Sequence, residues 1–158
     1  MFIYPIIVVA IIVLDQATKI IVRNNISLGE RIPVIGDWMN FTYIRNEGTA
    51  FSMFSGNHLV TVVLTSLLLI FCIVMIVYEI RSNEKVLAIC MTCVFGGGIS
   101  NLYDRLHFGY VTDMISCGNF AIFNVADIFV TCGCILAILY ILLDFRRSSS
   151  KGKEQSND

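Results

Sequence analysis

Apolar residues fill most of this chain in four long stretches, broken by polar residues at a few places. Crossing a hydrocarbon layer of roughly 30 Å takes about 20 helical residues at about 1.5 Å each. Leu59 to Tyr78 supplies 20 residues without a charge, and Val86 to Tyr103 supplies 18 that include the run Gly96, Gly97, Gly98. Phe2 to Val22 is long enough although it holds Asp15 and Lys19, and the fourth stretch, Phe123 to Leu143, opens with Asn124 and Asp127. The pattern predicts four transmembrane helices, over residues 2-22, 59-78, 86-103 and 123-143. Phe2 to Leu14 has the apolar core of a signal peptide, but no basic residue precedes it and no small-residue cleavage site follows, so it reads as a retained span.

Between the first two stretches the period shortens. Arg31 to Ile35 alternates polar and apolar positions, Gly36 and Asp37 supply a turn, and Met39, Phe41 and Tyr43 put apolar side chains on one face. This predicts a short hairpin lying against the membrane, with Trp38 at the headgroup level. The fold class expected is membrane all-α, with four transmembrane helices and a small β-hairpin on the outer face. Residues 1-145 form one domain, and the tail 146-158, rich in Ser, Lys and Gly, reads as disordered.

Composition narrows the classes. Of 158 residues, 56% are hydrophobic and 15% charged, against about 25% charged in a soluble domain; a soluble monomer is excluded. A net charge of -1 leaves no electrostatic footprint for nucleic acid. Six basic residues fall in the 22 positions of the Glu79 to Lys85 connector and the tail, against four in the 55 positions of the opposite loops. The positive-inside rule then places both termini in the cytoplasm. Cys72, Cys90, Cys93, Cys132 and Cys134 lie in apolar runs and only Cys117 in a polar one, so no disulfide framework follows. Cys90 and Cys93 have the spacing of half a zinc site, but Cys132 and Cys134, two apart, do not share a helix face. His58 and His107 are isolated. No metal and no other cofactor is expected.

The polar residues within the spans gather at one depth. Asp15 and Lys19, Asn101, Asp104 and Arg105, and Asn124 and Asp127 all lie toward the outer surface, with Asp113 in the loop between the last two spans. A lone carboxylate in a bilayer costs about 2.5 to 3.5 kcal/mol even on lenient insertion scales, so these groups need partners or a shared purpose. Each has a plain reading. Asp15 and Lys19 can neutralise each other four residues apart, and Asn101 and Arg105 can anchor a helix end in the headgroups. Asn124 can cap the fourth helix with Asp127 at its third position. The glycine run is a packing surface. The chemical reading is a carboxylate pair, Asp113 and Asp127, which meet if the intervening 13 residues fold back. Two close carboxylates hold one proton between them, so that one activates water while the other polarises a carbonyl.

The same residues carry a family resemblance. Asp15-Gln16-Ala17-Thr18-Lys19, Asn46-Glu47-Gly48-Thr49-Ala50-Phe51, Gly97-Gly98-Ile99-Ser100-Asn101-Leu102-Tyr103-Asp104-Arg105, Gly109-Tyr110-Val111-Thr112-Asp113 and Phe123-Asn124-Val125-Ala126-Asp127 resemble, in order, the five motif blocks of lipoprotein signal peptidase, or signal peptidase II. The resemblance implies an intramembrane aspartic peptidase of the bacterial cytoplasmic membrane with a β-cradle, here about 30-55, on the outer face. It would cut prolipoproteins just before a cysteine carrying diacylglycerol, so its partners would be diacylglyceryl-modified signal peptides and membrane lipid. Asp113 and Asp127 match the catalytic pair, while Asp15, Lys19, Asn46, Gly48, Asn101, Arg105, Asn124 and Ala126 match positions that line or order the site. Ser100, Thr49 and Met114 depart from the usual Gly, Ala and aromatic residue. A proton- or ion-coupled carrier would also place carboxylates in a membrane, although carriers usually show repeats and broken helices. A scaffold subunit would leave the carboxylates unexplained.

Overall fold

The computed structural model describes residues 2–36, 38–48, 57–118 and 122–154, with side chains through Arg146. Four helices are long and apolar enough to cross a membrane: α1 (Ile3–Asn25), α2 (His58–Arg81), α3 (Lys85–Phe108) and α4 (Val125–Glu154). Each is charge-poor and lined outward by large apolar side chains, as the missing polar stripe in the sequence requires. α3 is the hub, packing against α1, α2 and α4. Its small residues make this possible, because Gly96, Gly97 and Gly98 lie on the faces that meet Ile11, Ala126 and Leu69 respectively.

At one end of the bundle lies a four-stranded antiparallel sheet in the order β1-β2-β3-β4, formed by Arg31–Ile35, Met39–Asn46, Val111–Cys117 and Ile122–Phe123. The expected hairpin is present as β1 and β2. Two features correct the sequence reading. Asp113 lies not in a loop but on β3, opposite Ile44 of β2, and Ile122–Phe123 is a strand, so that the fourth helix begins at Val125. Neither segment alternates long enough to announce a strand; pairing with β2 creates it. The even alternation of Met39, Phe41 and Tyr43 also fails. A register shift between Phe41 and Ile44 inserts one residue, so Thr42 and Tyr43 are both buried and Phe41 is exposed.

Two devices bring β3 under the helices. Gly109 ends α3 in the left-handed conformation at φ 80°, its N–H donating to Arg105 O, and three residues later β3 is running back across α1. Met114 then packs with Val22 and Tyr43 in a small apolar cluster. That places the departure at Met114 in the packing of sheet on helix, since neighbours on a strand point to opposite faces and the carboxyl of Asp113 faces away. Arg45 lies 4.8 Å over the Tyr110 ring and Arg23 4.6 Å over Phe108, tying the sheet edge to the helix ends.

At the other end, Tyr140 donates to Glu84 Oε2 at 2.8 Å, fixing α4 to the α2–α3 connector. α4 continues to Glu154, beyond the point where disorder is expected. No proline interrupts it, and Gly133, its one glycine before Gly152, lies where a side chain would meet Cys90 O and Val94 of α3.

Candidate active site

Asp15 and Lys19 are fully buried, four residues apart on α1, and form an ion pair of 2.7 Å. Mutual neutralisation is only part of their role. Lys19 Nζ also reaches Asp104 Oδ2 at 3.1 Å and donates to Asn101 Oδ1 at 2.8 Å, so its three protons meet three acceptors. Asp15 Oδ1 accepts the backbone N–H of Ala126 at 2.8 Å. That N–H is one of the unpaired donors in the first turn of α4, a place where a negative charge is stabilised. The α1 carboxylate thus holds the start of the helix that carries Asp127, and Ala126, fully buried, leaves no room for a larger side chain there.

Asn124 is the cap the sequence suggests, and more. Its Oδ1 accepts from Asp127 N at 3.0 Å while Asp127 Oδ2 accepts from Asn124 N at 3.1 Å, a reciprocal capping box. Its amide then donates to Asp113 Oδ1 at 2.8 Å and to Asn101 Oδ1 at 3.1 Å. Asn101 donates in turn to Asp127 Oδ1 at 2.8 Å. From β2, Asn46 donates to Asp113 Oδ2 at 2.8 Å while its own Oδ1 accepts from Gly48 N. Each carboxylate therefore receives two donors, and a single residue, Asn124, bonds both, Asp113 through its side-chain amide and Asp127 through its backbone N–H.

Arg105 does not anchor a helix end in headgroups, because it is buried beneath the sheet end of the bundle. It donates to Gly48 O at 3.0 Å, its backbone carbonyl meets His58 Nε2 at 2.7 Å, and its buried Nε has no partner among the described residues. Burial foremost, then the charge of Asp127, pushes the carboxyl of Asp113 up to about 7, against the amide donors Asn46 and Asn124 that pull it down. A carboxylic acid and a carboxylate can thus coexist here near neutral pH.

The residues matched to the site, Asp15, Lys19, Asn46, Gly48, Asn101, Arg105, Asp113, Asn124, Ala126 and Asp127, converge; Met114 lies on the other face of β3, and Thr49 lies outside the described residues with the rest of 49–56. The network also takes in Asp104 and Ser100, to which the sequence reading gave no site role, and Gln16: Asp104 accepts Thr112 N at 3.1 Å and Gln16 Nε2 at 2.9 Å, and Gln16 also donates to Ser100 Oγ. The signal was their spacing, since Ser100 and Asp104 are four apart and share a helix face with Asn101 and Arg105 nearby. The cysteine pairs build no metal centre: among the described residues no group of three His, Cys, Asp or Glu side chains is placed to hold an ion.

Fold and site define a multi-pass membrane protein that keeps a hydrogen-bonded carboxylate pair beneath a small sheet at one end of its helices. The family model described as Signal peptidase (SPase) II, Peptidase_A8, matches residues 7–143. The chain belongs to this family of peptidases. The lipoprotein signal peptidase of Clostridium tetani is 36% identical over 142 residues, covering 87% of this chain and 90% of its own. That of Listeria monocytogenes is 34% identical over 149 residues, covering 92% and 96%. A solved bacterial membrane enzyme, 31% identical, superposes with a TM-score of 0.80 over 90% of this chain and 88% of its own.

Proposed function

We propose that this chain removes signal peptides from prolipoproteins, cutting before a diacylglyceryl-modified cysteine, with Asp113 and Asp127 as the catalytic pair. The observation that supports this most directly is the convergence of those two carboxylates, from β3 and α4, on one residue, Asn124, whose side-chain amide donates to Asp113 Oδ1 and whose backbone N–H donates to Asp127 Oδ2. Asp113, with its raised affinity for a proton, is the acid. Asp127, at a helix N-terminus that favours negative charge, is the base.

Asp127 takes a proton from water, the hydroxide attacks the scissile carbonyl carbon, and Asp113 gives its proton to the carbonyl oxygen. The tetrahedral intermediate collapses when Asp127 passes its proton to the leaving nitrogen and Asp113 recovers one from the intermediate's hydroxyl. The products are the signal peptide carboxylate and the free amine of the lipidated cysteine. Asp15, Lys19, Asn46, Gly48, Asn101, Arg105, Asn124 and Ala126 order the pair. The membrane setting suits a substrate with acyl chains, which reaches the site from the bilayer.

The test incubates purified protein in detergent with a diacylglyceryl-modified precursor. The expected product is lighter by the mass of the signal peptide, and cleavage persists in excess EDTA because both proton transfers belong to carboxyl groups. No mass change overturns the reading, and loss of cleavage in EDTA restored by a divalent ion overturns the two-carboxylate mechanism.

The reading also places the membrane as the bacterial cytoplasmic one, with both termini inside and the sheet outside. The unequal distribution of basic residues supports this. A membrane-impermeant thiol reagent applied to intact cells is expected to label Cys117, on β3, and not a cysteine introduced by Ser149→Cys. The reverse pattern overturns the orientation.

A further inference from the structure

Ser100 lies on α3 one residue before Asn101 and is fully buried. Its hydroxyl donates to Asp15 Oδ2 at 2.7 Å and accepts from Gln16 Nε2 at 3.0 Å. The motif resemblance puts glycine at this position, so the hydroxyl is a feature of this chain's own sequence. Gln16 in turn bonds Asp104 Oδ1 at 2.9 Å and Ser100 O at 3.3 Å, which leaves the hydroxyl proton one direction to point, toward Asp15.

Two donors therefore fix one oxygen, because Lys19 Nζ also sits 2.7 Å from Asp15 Oδ2, and a carboxylate oxygen has a lone pair for each. The ammonium so held gives another of its protons to Asn101 Oδ1, and it is Asn101 whose amide holds Asp127. The other oxygen of Asp15 holds the Ala126 N–H, one residue before Asp127. Both ends of the Asp15 carboxylate thus lead to the same group by different routes.

We propose that Ser100 is a positioning residue for cleavage, acting through Asp15 to fix Asp127; this rests on the assignment of the carboxylate pair above. Removing the hydroxyl takes away one of the two donors that fix Asp15 Oδ2, so the carboxylate is free to turn from the Ala126 N–H and to shift the Lys19 ammonium that Asn101 accepts. Asp127 then loses its alignment while the substrate-binding surfaces stay as they are.

The experiment measures kcat and KM for the modified precursor with the parent, Ser100→Ala, Asp15→Asn and the double variant. Ser100→Ala is expected to lower kcat about tenfold, the scale of one hydrogen bond to a charged group, with KM unchanged. In the Asp15→Asn background the same substitution is expected to cost nothing further, because the oxygen it served is already disturbed. Ser100→Gly reads the same quantity should the alanine variant fail to accumulate. An unchanged kcat, a loss confined to KM, or a loss that multiplies independently with Asp15→Asn overturns the proposal. Cleavage by the parent in the same assay keeps a failure of this proposal distinct from a failure of the peptidase reading.

Discussion

Asp113→Asn and Asp127→Asn are each expected to cleave the modified precursor at least about 10² to 10⁴ times more slowly than the parent, the usual range for losing a positioned acid or base. Asparagine nearly matches aspartate in size but transfers no proton, so the water is left without a base or the carbonyl without an acid. On the proposed mechanism the two groups share one proton, so losing either breaks both roles, and the double variant should be little worse than either single one. Each substitution keeps one oxygen to accept from Asn46, Asn101 or Asn124 and loses one such bond. A melting curve for each variant therefore accompanies the rates. A folded single variant with near-parent cleavage removes that aspartate from the mechanism.

The pH dependence follows from the same pair. The proposed mechanism needs one proton on two carboxyl groups, so the rate should rise and fall as a bell. The alkaline limb should begin near the value of about 7 to which burial and the neighbouring charge raise Asp113. The sign for stability is definite. Folded, Asp113 binds its proton more tightly than in the unfolded chain, so between the ordinary carboxylate range and about 7 the folded state holds more protons and loses stability as pH rises. Asp113→Asn removes this dependence. Its melting temperature relative to the parent should therefore improve as pH increases through that window, and a constant difference would mean that Asp113 is not titrating there.

Much of this was legible in the residues because a bilayer makes charge placement expensive. The four helices follow from runs without charge, and the depth shared by Asp15, Asn101, Asp113, Asn124 and Asp127 follows from where the exceptions fall. What was not legible depends on pairing at a distance. β3 exists because β2 offers it partners from Met39 to Asn46, more than 60 residues earlier, and the bulge at Thr42 and Tyr43 undoes the alternation on which the hairpin was read. Arg105 could be read from its spacing as an interfacial anchor, because spacing alone does not tell which face of α3 turns inward; the motif match, not the spacing, put it among the site residues. Asn124 shows a related limit: the cap and the site residue are one side chain, since an amide can accept from Asp127 N while donating to Asp113 and Asn101. A local motif and a tertiary role are not alternatives when a group has enough hydrogen-bonding capacity for both.

Gly97→Ala is expected to abolish cleavage, whereas Gly98→Ala two methyl-widths away should retain most of it. A side-chain carbon at Gly97 would lie 2.5 Å from the carbonyl oxygen of Ala126 and 2.8 Å from Val130 Cγ2. The first is backbone in the opening turn of α4, and it cannot move without taking along the Ala126 N–H that Asp15 holds and the Asp127 that follows. At Gly98 the added carbon would meet only Leu69 Cδ2 at 2.8 Å, the far end of a flexible side chain facing α2. A change of rotamer at Leu69 accommodates it at a cost of about 1 to 3 kcal/mol for overpacking. Both variants add one methyl to one helix, and both replace glycine with the best helix former. Their difference therefore isolates the α3–α4 contact from helix propensity. The measurement is the precursor cleavage rate at equal amounts of folded protein, and near-parent activity of Gly97→Ala would show that the start of α4 can shift by the width of a methyl group without disturbing the carboxylate pair.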